Sequence, residues 1–336
     1  MQATPERNVA TNVPGRNKVA LVIPYYGRLP SYFNYFLKSL EGKYLDVLLV
    51  TDAEIDCYPE NLKIIKMGLQ ELASLFEHKL GTHVSIGKPI RLCDFKPMYG
   101  HIFEDYLVGY DYWGFGDCDL IYGNELNRFI KAILSAEWEA VSCRRYWSSG
   151  AFFIMKNSEK MRLFYRRCAN WREVCAAAGD TFTHFDEIGN RSYFDLEFGA
   201  KTLHQSDPID CFAVALWNAD DVSLFREDRA CEIVLHDAPV TMSSGDLLYR
   251  GTSIIFYHFV NAKRIRWFYW PEAKYSTISD YFIDDSGVYP IGIGKWKHGT
   301  LRMGRIARTY WNRLSRKITN IAKFFGTVLS KGRRVK

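Results

Sequence analysis

Two aspartates, two positions apart, carry the clearest chemical signal in this 336-residue sequence. Asp117 and Asp119 flank Cys118 within the aromatic and glycine-rich segment 113–123. In an extended strand, residues i and i+2 point to the same side, so both carboxylates can bind one hard cation where the strand opens into a pocket. Oxygen ligands together with a diphosphate suit Mg²⁺ or Mn²⁺. The alternative interpretation of the pair is a solvated turn.

The elements that must position this pair alternate between strands and helices. Apolar runs predict strands at 18–23, 46–50, 61–67 and 112–116. Helical spacing predicts a helix capped by Ser31, a helix over 69–80, a helix beginning near Pro97 and a helix beginning at Asn124. This alternation predicts an α/β fold with a mainly parallel sheet flanked by helices, whose ligands bind beyond the carboxyl ends of the strands.

The second half of the chain is less regular. Its pattern predicts strands at 150–155 and 253–258 and helices over 158–168 and 185–203. The last of these helices would begin at the acidic pair Asp186 and Glu187.

Three motifs together resemble a known family of enzymes. They are Trp-Gly-Phe-Gly-Asp-Cys-Asp at 113–119, Val-Ile-Pro-Tyr-Tyr at 22–26 and Cys-Asp-Phe-Lys-Pro at 93–97. They resemble the D-x-D glycosyltransferases of GT-A fold that are encoded in bacterial capsule and lipopolysaccharide clusters. The resemblance extends over about residues 18–263. It implies a GT-A-like fold and a nucleotide-sugar donor held through a divalent cation, Mn²⁺ or Mg²⁺, at Asp117 and Asp119.

The resemblance also implies which residues hold the donor. Pro24 and Tyr25, at the end of the first strand, match the position that holds the nucleoside, and Asp52 matches the acidic residue after the second strand. Asp94 and Lys96 resemble the acidic and basic pair that contacts the donor sugar and the diphosphate, an arrangement closer to retaining than to inverting enzymes. Loop packing and an ordinary lysine at a helix start are the structural alternatives.

Two late features complete the predicted site. His258 resembles the histidine that completes the metal or diphosphate site, and Lys263, five residues later, suits a phosphate. Asp186 and Glu187 resemble the acidic pair near the acceptor hydroxyl, where one carboxylate can act as general base. The same acidic pair would also suit the start of a helix, where it interacts favourably with the macrodipole.

The C-terminal segment has a different character from the rest of the chain. From residue 286 onward it carries 13 basic residues and no acidic one, whereas the preceding part carries 31 basic and 38 acidic residues. A helix over this segment would have an apolar stripe opposite a basic face, which is typical of a helix lying on an anionic membrane surface. A helix docked on the catalytic domain and a nucleic-acid-binding tail are the alternatives, and the apolar stripe argues against the second. The stripe comprises Ile306, Tyr310, Trp311, Leu314, Ile318, Ile321, Phe324, Phe325 and Val328.

Composition excludes several other classes. Hydrophobic residues make up 48% of the chain and charged residues 24%, so it can bury a large core and is not a disordered protein. The eight cysteines form no C-x₂-C pair, which argues against a zinc site or a disulfide framework and favours a reducing compartment. Residues 1–17 lack the apolar core of a secretory signal, and no apolar run is long enough to span a membrane.

We therefore expect a flexible leader at 1–17, a GT-A-like catalytic domain at 18–285 and a basic amphipathic tail at 286–336. The donor half of the domain would be 18–123 and the acceptor half 124–285. The expected function is metal-dependent transfer of a sugar to a lipid-linked or surface-glycan acceptor in polysaccharide biosynthesis. The protein would be cytoplasmic and peripheral on the inner face of the plasma membrane, with no nucleic-acid partner. A sugar-phosphate nucleotidyltransferase and a non-catalytic glycan-binding protein are the rival hypotheses.

Overall fold

The structure is a computed structural model that describes residues 17–145, 148–177, 182–187, 211–228, 230–231, 238–265, 267–272, 274–293, 297–307 and 311. Its strands are β1 (Val19–Pro24), β2 (Asp46–Thr51), β3 (Leu62–Lys66), β4 (Tyr112–Gly116), β5 (Leu120–Tyr122), β6 (Ala140–Ser142), β7 (Phe152–Lys156), β8 (Leu224–Arg226), β9 (Ala230–Cys231), β10 (Val240–Ser243), β11 (Asp246–Tyr249), β12 (Thr252–Ser253), β13 (Phe256–His258), β14 (Tyr281–Asp284) and β15 (Gly287–Pro290). Its α-helices are α1 (Phe33–Leu40), α2 (Leu69–Leu80), α3 (Tyr99–Ile102), α4 (Glu125–Ala136), α5 (Glu159–Arg162), α6 (Trp171–Ala176) and α7 (Phe212–Trp217).

A seven-stranded sheet in the order β3-β2-β1-β4-β7-β6-β8 forms the centre of the molecule. Neighbouring strands are parallel except that β7 runs antiparallel to both β4 and β6. The predicted α/β class with a mostly parallel sheet is confirmed, and the sheet is mixed because of β7. The carboxyl ends of β1, β2, β4 and β6 therefore share one edge with the start of β7.

Both faces of this sheet are covered, as the continuous apolar strands require. Leu21 packs on one face with α1 and α4, and Val22 packs on the other with α2 and α3. Alternate residues of β1 thus enter two separate cores, and the strand is buried almost throughout.

Two smaller sheets follow. β13 joins β5 in antiparallel pairing and β9 in parallel pairing. The other sheet has five antiparallel strands in the order β12-β11-β10-β14-β15. The predicted strand over 253–258 is two strands, β12 and β13, because the chain passes between these sheets near Ile254 and Ile255.

Several local predictions need correction. Tyr32, not Ser31, is the N-cap of α1, and no side chain caps that helix. Pro97 lies inside a 3₁₀ segment, Pro89–Met98, and the α-helix after it has only four residues. The physical reason is that a proline disfavours α conformation in the residue before it. Asn124 does precede α4, but its side chain bonds to Lys43 and to the Ser244 carbonyl and does not cap the helix.

Part of the C-terminal segment packs on the five-stranded sheet. β14 and β15 form an antiparallel pair whose connecting turn contains residues 285 and 286, where the tail was expected to begin. Residues 297–307 are helical. Arg302 pairs with Asp285 at 2.6 Å, while the Arg305 guanidinium lies 3.4 Å from the ring centre of Tyr269 and donates to the Tyr289 hydroxyl. We call residues 297–307 the docked helix. The rest of the predicted tail, apart from Trp311, lies outside the described residues. The helix predicted over 185–203 is wrong at its start, because residues 185–187 form a turn, and its remainder from 188 onward lies outside the described residues.

The described part of the chain contains no helix with the length and apolar character needed to span a membrane.

Candidate metal and donor site

The Asp117–Asp119 pair lies in a turn at the carboxyl edge of the central sheet. β4 ends at Gly116, and the Asp117 amide then donates to the Ala151 carbonyl at 3.1 Å. The pair thus lies just beyond the end of β4, in a turn that leads into β5, and not in the extended conformation that its spacing predicted. Asp119 is fixed on the other side, since its carbonyl accepts from the Phe259 amide at 3.0 Å.

The pairing of β5 with β13 brings a histidine to this turn. His258 lies opposite Leu120 in the register, and its Nε2 lies 3.3 Å from Asp119 Oδ1. One ligand atom each from Asp117, Asp119 and His258 lie within 4.8 Å of one another. Two carboxylates and one imidazole form a donor set that fits a divalent cation such as Mn²⁺ or Mg²⁺.

Asp119 is almost completely buried, and a basic side chain faces each of its two carboxylate oxygens. Lys263 donates to Asp119 Oδ2 from the 3₁₀ segment Ala262–Arg264, and His258 faces Oδ1. Burial by itself would raise the pKa of Asp119, but the hydrogen bonds and charges of His258 and Lys263 outweigh it and hold this pKa well below its usual range. Asp119 is therefore an ionised carboxylate, as a metal ligand must be.

Lys96 occupies the interior side of the same turn. Its amine donates to Asp117 Oδ1 at 2.7 Å and to the Gly150 carbonyl at 2.8 Å, and it lies 3.8 Å from Asp186 Oδ2. Burial would lower the pKa of Lys96, but the neighbouring negative charges, that of Asp117 foremost, raise it well above its ordinary value. Because its side chain is only 6% exposed, its contacts support a positioning role within the site more directly than contact with a donor.

Asp94 is engaged in a buried network. Its carboxylate pairs with Arg91, and both side chains are fully buried. It also accepts from the Thr183 hydroxyl at 2.8 Å and from the Phe185 amide at 3.2 Å. Asp94 thus ties the segment 182–187 to the 3₁₀ segment Pro89–Met98, and its contacts support holding the segment 182–187 in place.

The acidic pair at 186–187 lies directly behind this network. The Ser148 hydroxyl donates to the Asp186 carbonyl at 2.8 Å, and the Gly150 amide donates to Glu187 Oε1 at 2.9 Å. Burial and the adjacent Glu187 charge raise the pKa of Asp186 well above its ordinary value, although Lys96 acts in the opposite direction. Asp186 Oδ1 is buried and finds no hydrogen-bond partner in the described part of the chain.

The predicted nucleoside contacts occupy the same sheet edge. Pro24 ends β1, and the hydroxyl of Tyr25, the next residue, donates to the Arg28 carbonyl at 3.0 Å. Tyr25 packs against the core cluster that contains Cys118 of the turn. Burial, followed by the charges of Cys118 and Asp119, raises the pKa of Tyr25. Asp52 is exposed just beyond β2 and is outside the Asp117–Asp119–His258 group.

An aromatic group that the sequence analysis did not identify lies beside Asp119. The ring centre of Phe259 is 4.4 Å from that of Trp270 and 5.6 Å from that of Tyr32, and Tyr32 and Trp270 are 5.1 Å apart. Burial and then the Asp119 charge raise the pKa of Tyr32. The position of Phe259 directly after His258 was the available signal, but Tyr32 and Trp270 come from distant parts of the chain.

Comparison with known proteins gives one family and partial structural likeness. Residues 21–230 match a family model described as "Family of unknown function (DUF6625)". No curated protein matches the sequence significantly. Among solved structures, the glycosyltransferase GlyE of Streptococcus pneumoniae TIGR4 aligns at 16% identity with a TM-score of 0.26, over 45% of this chain and 38% of that one. The chain thus spans well under half the length of that structure.

Proposed function

Because the chain belongs to the DUF6625 family, whose description assigns no activity, we propose its function from the site alone: a metal-dependent glycosyltransferase with a GT-A-like fold that uses a nucleotide-sugar donor. The observation that carries the proposal is the group of Asp117, Asp119 and His258, with Lys263 beside it, at the carboxyl edge of a mostly parallel sheet. Ligands of open α/β sheets bind at this edge.

The charges of this group suit a diphosphate leaving group. A divalent cation held by Asp117, Asp119 and His258 would supply electrostatic stabilisation of the charge that develops on the departing diphosphate. Lys263, 41% exposed, would add a further positive charge on the same side. Tyr25 and Pro24 would contact the nucleoside at the end of β1, with Asp52 at the outer margin.

The acceptor would approach from the side of Glu187. Its side chain is 17% exposed and is oriented by the Gly150 amide, so it can accept a proton from an acceptor hydroxyl. Asp186, which is buried and has a raised pKa, would instead position Lys96 and Glu187. This division separates the two carboxylates that the sequence analysis had treated as equivalent.

The acceptor and the location belong to the same proposal. A lipid-linked or surface-glycan acceptor would bring the enzyme to the inner face of an anionic membrane through the basic residues beyond the docked helix. Eight lysines and arginines lie within residues 312–336, and each is worth about 1 kcal/mol near an anionic surface.

The deciding experiment combines a panel of nucleotide sugars with variants of the turn. Asp117→Asn and Asp119→Asn each remove one ligand charge, so we expect Mn²⁺-dependent release of nucleoside diphosphate to fall at least about a hundredfold, as for the loss of electrostatic stabilisation at other active sites. Asp220→Asn, which changes an exposed carboxylate outside the group, serves as the control and should keep the wild-type rate.

The products distinguish the rival functions. Release of pyrophosphate in place of nucleoside diphosphate would indicate a nucleotidyltransferase. A wild-type rate in either aspartate variant would contradict the metal assignment. Glycan binding that survives both substitutions, with no turnover of any donor, would favour a non-catalytic glycan-binding protein.

A further inference from the structure

Both carboxylates of the Asp117–Asp119 turn are paired with lysines, but the two lysines differ in their surroundings. Lys96 has a side chain only 6% exposed, and its amine is held by Asp117 and by the Gly150 carbonyl. Lys263 has a side chain 41% exposed and reaches Asp119 Oδ2 from a three-residue 3₁₀ segment. The first pair is therefore fixed by its packing, whereas the second can open toward solvent without disturbing the core.

The pair that can open is also the one that obstructs the metal site. If Asp119 Oδ2 bound a divalent cation while it still accepted the hydrogen bond from Lys263, the cation and the ammonium would lie next to each other. Their positive charges would then repel. Asp119 contributes two oxygens, of which His258 faces one and Lys263 bonds the other. A cation that uses this carboxylate fully must displace the lysine.

We propose that Lys263 is an exchangeable counter-ion: it neutralises Asp119 before donor binding, leaves it when the divalent cation binds, and then pairs with the diphosphate. This inference rests on the proposed function and goes beyond it. Without an anion, the displaced ammonium stays close to the cation and opposes its binding. With a diphosphate present, the same ammonium gains a partner, so cation and diphosphate strengthen each other's binding by the same factor.

Binding of Mn²⁺ alone tests the exchange, measured by electron paramagnetic resonance of the free ion. Lys263→Met removes the competitor, so we expect this variant to bind Mn²⁺ about tenfold more tightly than the wild type, within the usual range of coupling between sites. Lys263→Arg keeps the positive charge and should bind Mn²⁺ as the wild type does. Lys274→Met removes an exposed lysine elsewhere and controls for the general loss of charge; it should also match the wild type.

The outcomes separate the exchange from the metal site itself. If Asp119→Asn abolishes Mn²⁺ binding but Lys263→Met binds Mn²⁺ no more tightly than the wild type, the exchange is overturned and the metal site stands. If neither the wild type nor Lys263→Met binds Mn²⁺, the exchange and the proposed function both fall. A single cooperative thermal transition in each variant excludes misfolding as the cause.

Discussion

At the scale of single residues, Lys96 has the most consequential contacts. Its amine connects Asp117 of the metal turn, the Gly150 carbonyl and Asp186 of the acidic pair. Its contact with the diphosphate, which the family resemblance implies, stays a prediction. The contacts support a different role: a buried positive charge that lets three negative or polar groups lie close together.

Lys96→Met should therefore lower stability as well as activity. Removing one member of a buried ion pair leaves the other charges uncompensated, which costs about 3 kcal/mol of unfolding free energy. Guanidinium unfolding measures this change. Lys63→Met, at an exposed lysine of β3, should change the free energy of unfolding by less than about 0.5 kcal/mol.

The double variant Lys96→Met with Asp117→Asn separates pairing from packing. It should recover part of the stability, because the Asp117 charge is then also removed. If Lys96→Met unfolds at the wild-type denaturant concentration, its amine is not the compensating charge of this region.

A site residue could be predicted from the sequence when its partner lies nearby along the chain. It could not be predicted when the partner lies far away. Asp117 and Asp119 were identifiable because their relation is local, and His258 and Lys263 because a resemblance supplied their roles. Asp94 bonds to Thr183, which is 89 positions away, so no spacing rule reveals that it holds the 182–187 segment. The Arg91–Asp94 pair is local, but its complete burial is a tertiary property.

At the scale of elements, Gly150 joins two parts of the site. Its carbonyl accepts from Lys96 and its amide donates to Glu187. A Cβ at this position would lie against Asp186 Oδ2 and 2.8 Å from Glu187 Oε1. The start of β7 and the acidic segment therefore pack together only because residue 150 has no side chain.

Gly150→Ala should push the acidic segment away from β7. We expect a loss of about 1–3 kcal/mol of unfolding free energy, the usual cost of overpacking, and faster hydrogen exchange in a peptide covering 182–187. The control is Gly304→Ala in the docked helix, where a Cβ meets nothing within 4 Å and should slightly stabilise the helix. Unchanged exchange at 182–187 in Gly150→Ala would mean that the segment does not depend on this contact.

The elements themselves were largely predictable where periodicity was strong. The buried apolar runs of β1 and β2 and the amphipathic pattern of α2 and α4 have the predicted types and nearly the predicted bounds. The predicted helix near Pro97 was mostly 3₁₀, because proline chemistry overrides an apolar pattern of helical period. The strand predicted over 112–116 has the bounds of β4, but the extended conformation expected for Asp117 and Asp119 is wrong, because the chain turns there before β5 begins at Leu120.

At the scale of the whole molecule, the C-terminal segment has two parts with different contacts. Arg302 and Arg305, two of the 13 basic residues of this segment, contact Asp285 and the rings of Tyr269 and Tyr289. The positive charges of these two arginines thus interact with other residues of the protein. Attraction to an anionic membrane would have to come from the basic residues after the docked helix.

Removal of residues 312–336 tests that attraction without removing the docking contacts. The shortened protein should keep its thermal unfolding temperature and its donor binding, because both the site and the docked helix remain. It should lose co-sedimentation with phosphatidylglycerol vesicles, and high salt should reduce binding of the intact chain by screening. Equal co-sedimentation of the two proteins would contradict the membrane proposal.

The aromatic group beside Asp119 gives the molecule an optical property. Trp270 packs edge-on against Phe259, whose amide is hydrogen-bonded to the Asp119 carbonyl. An indole that packs on the residue bonded to the Asp119 backbone senses changes in the local field at the turn, and a paramagnetic ion close by quenches its emission. The fluorescence that the wild type shows and Trp270→Phe lacks therefore reports changes of charge and of metal occupancy at the turn. The measurement needs no label on the protein.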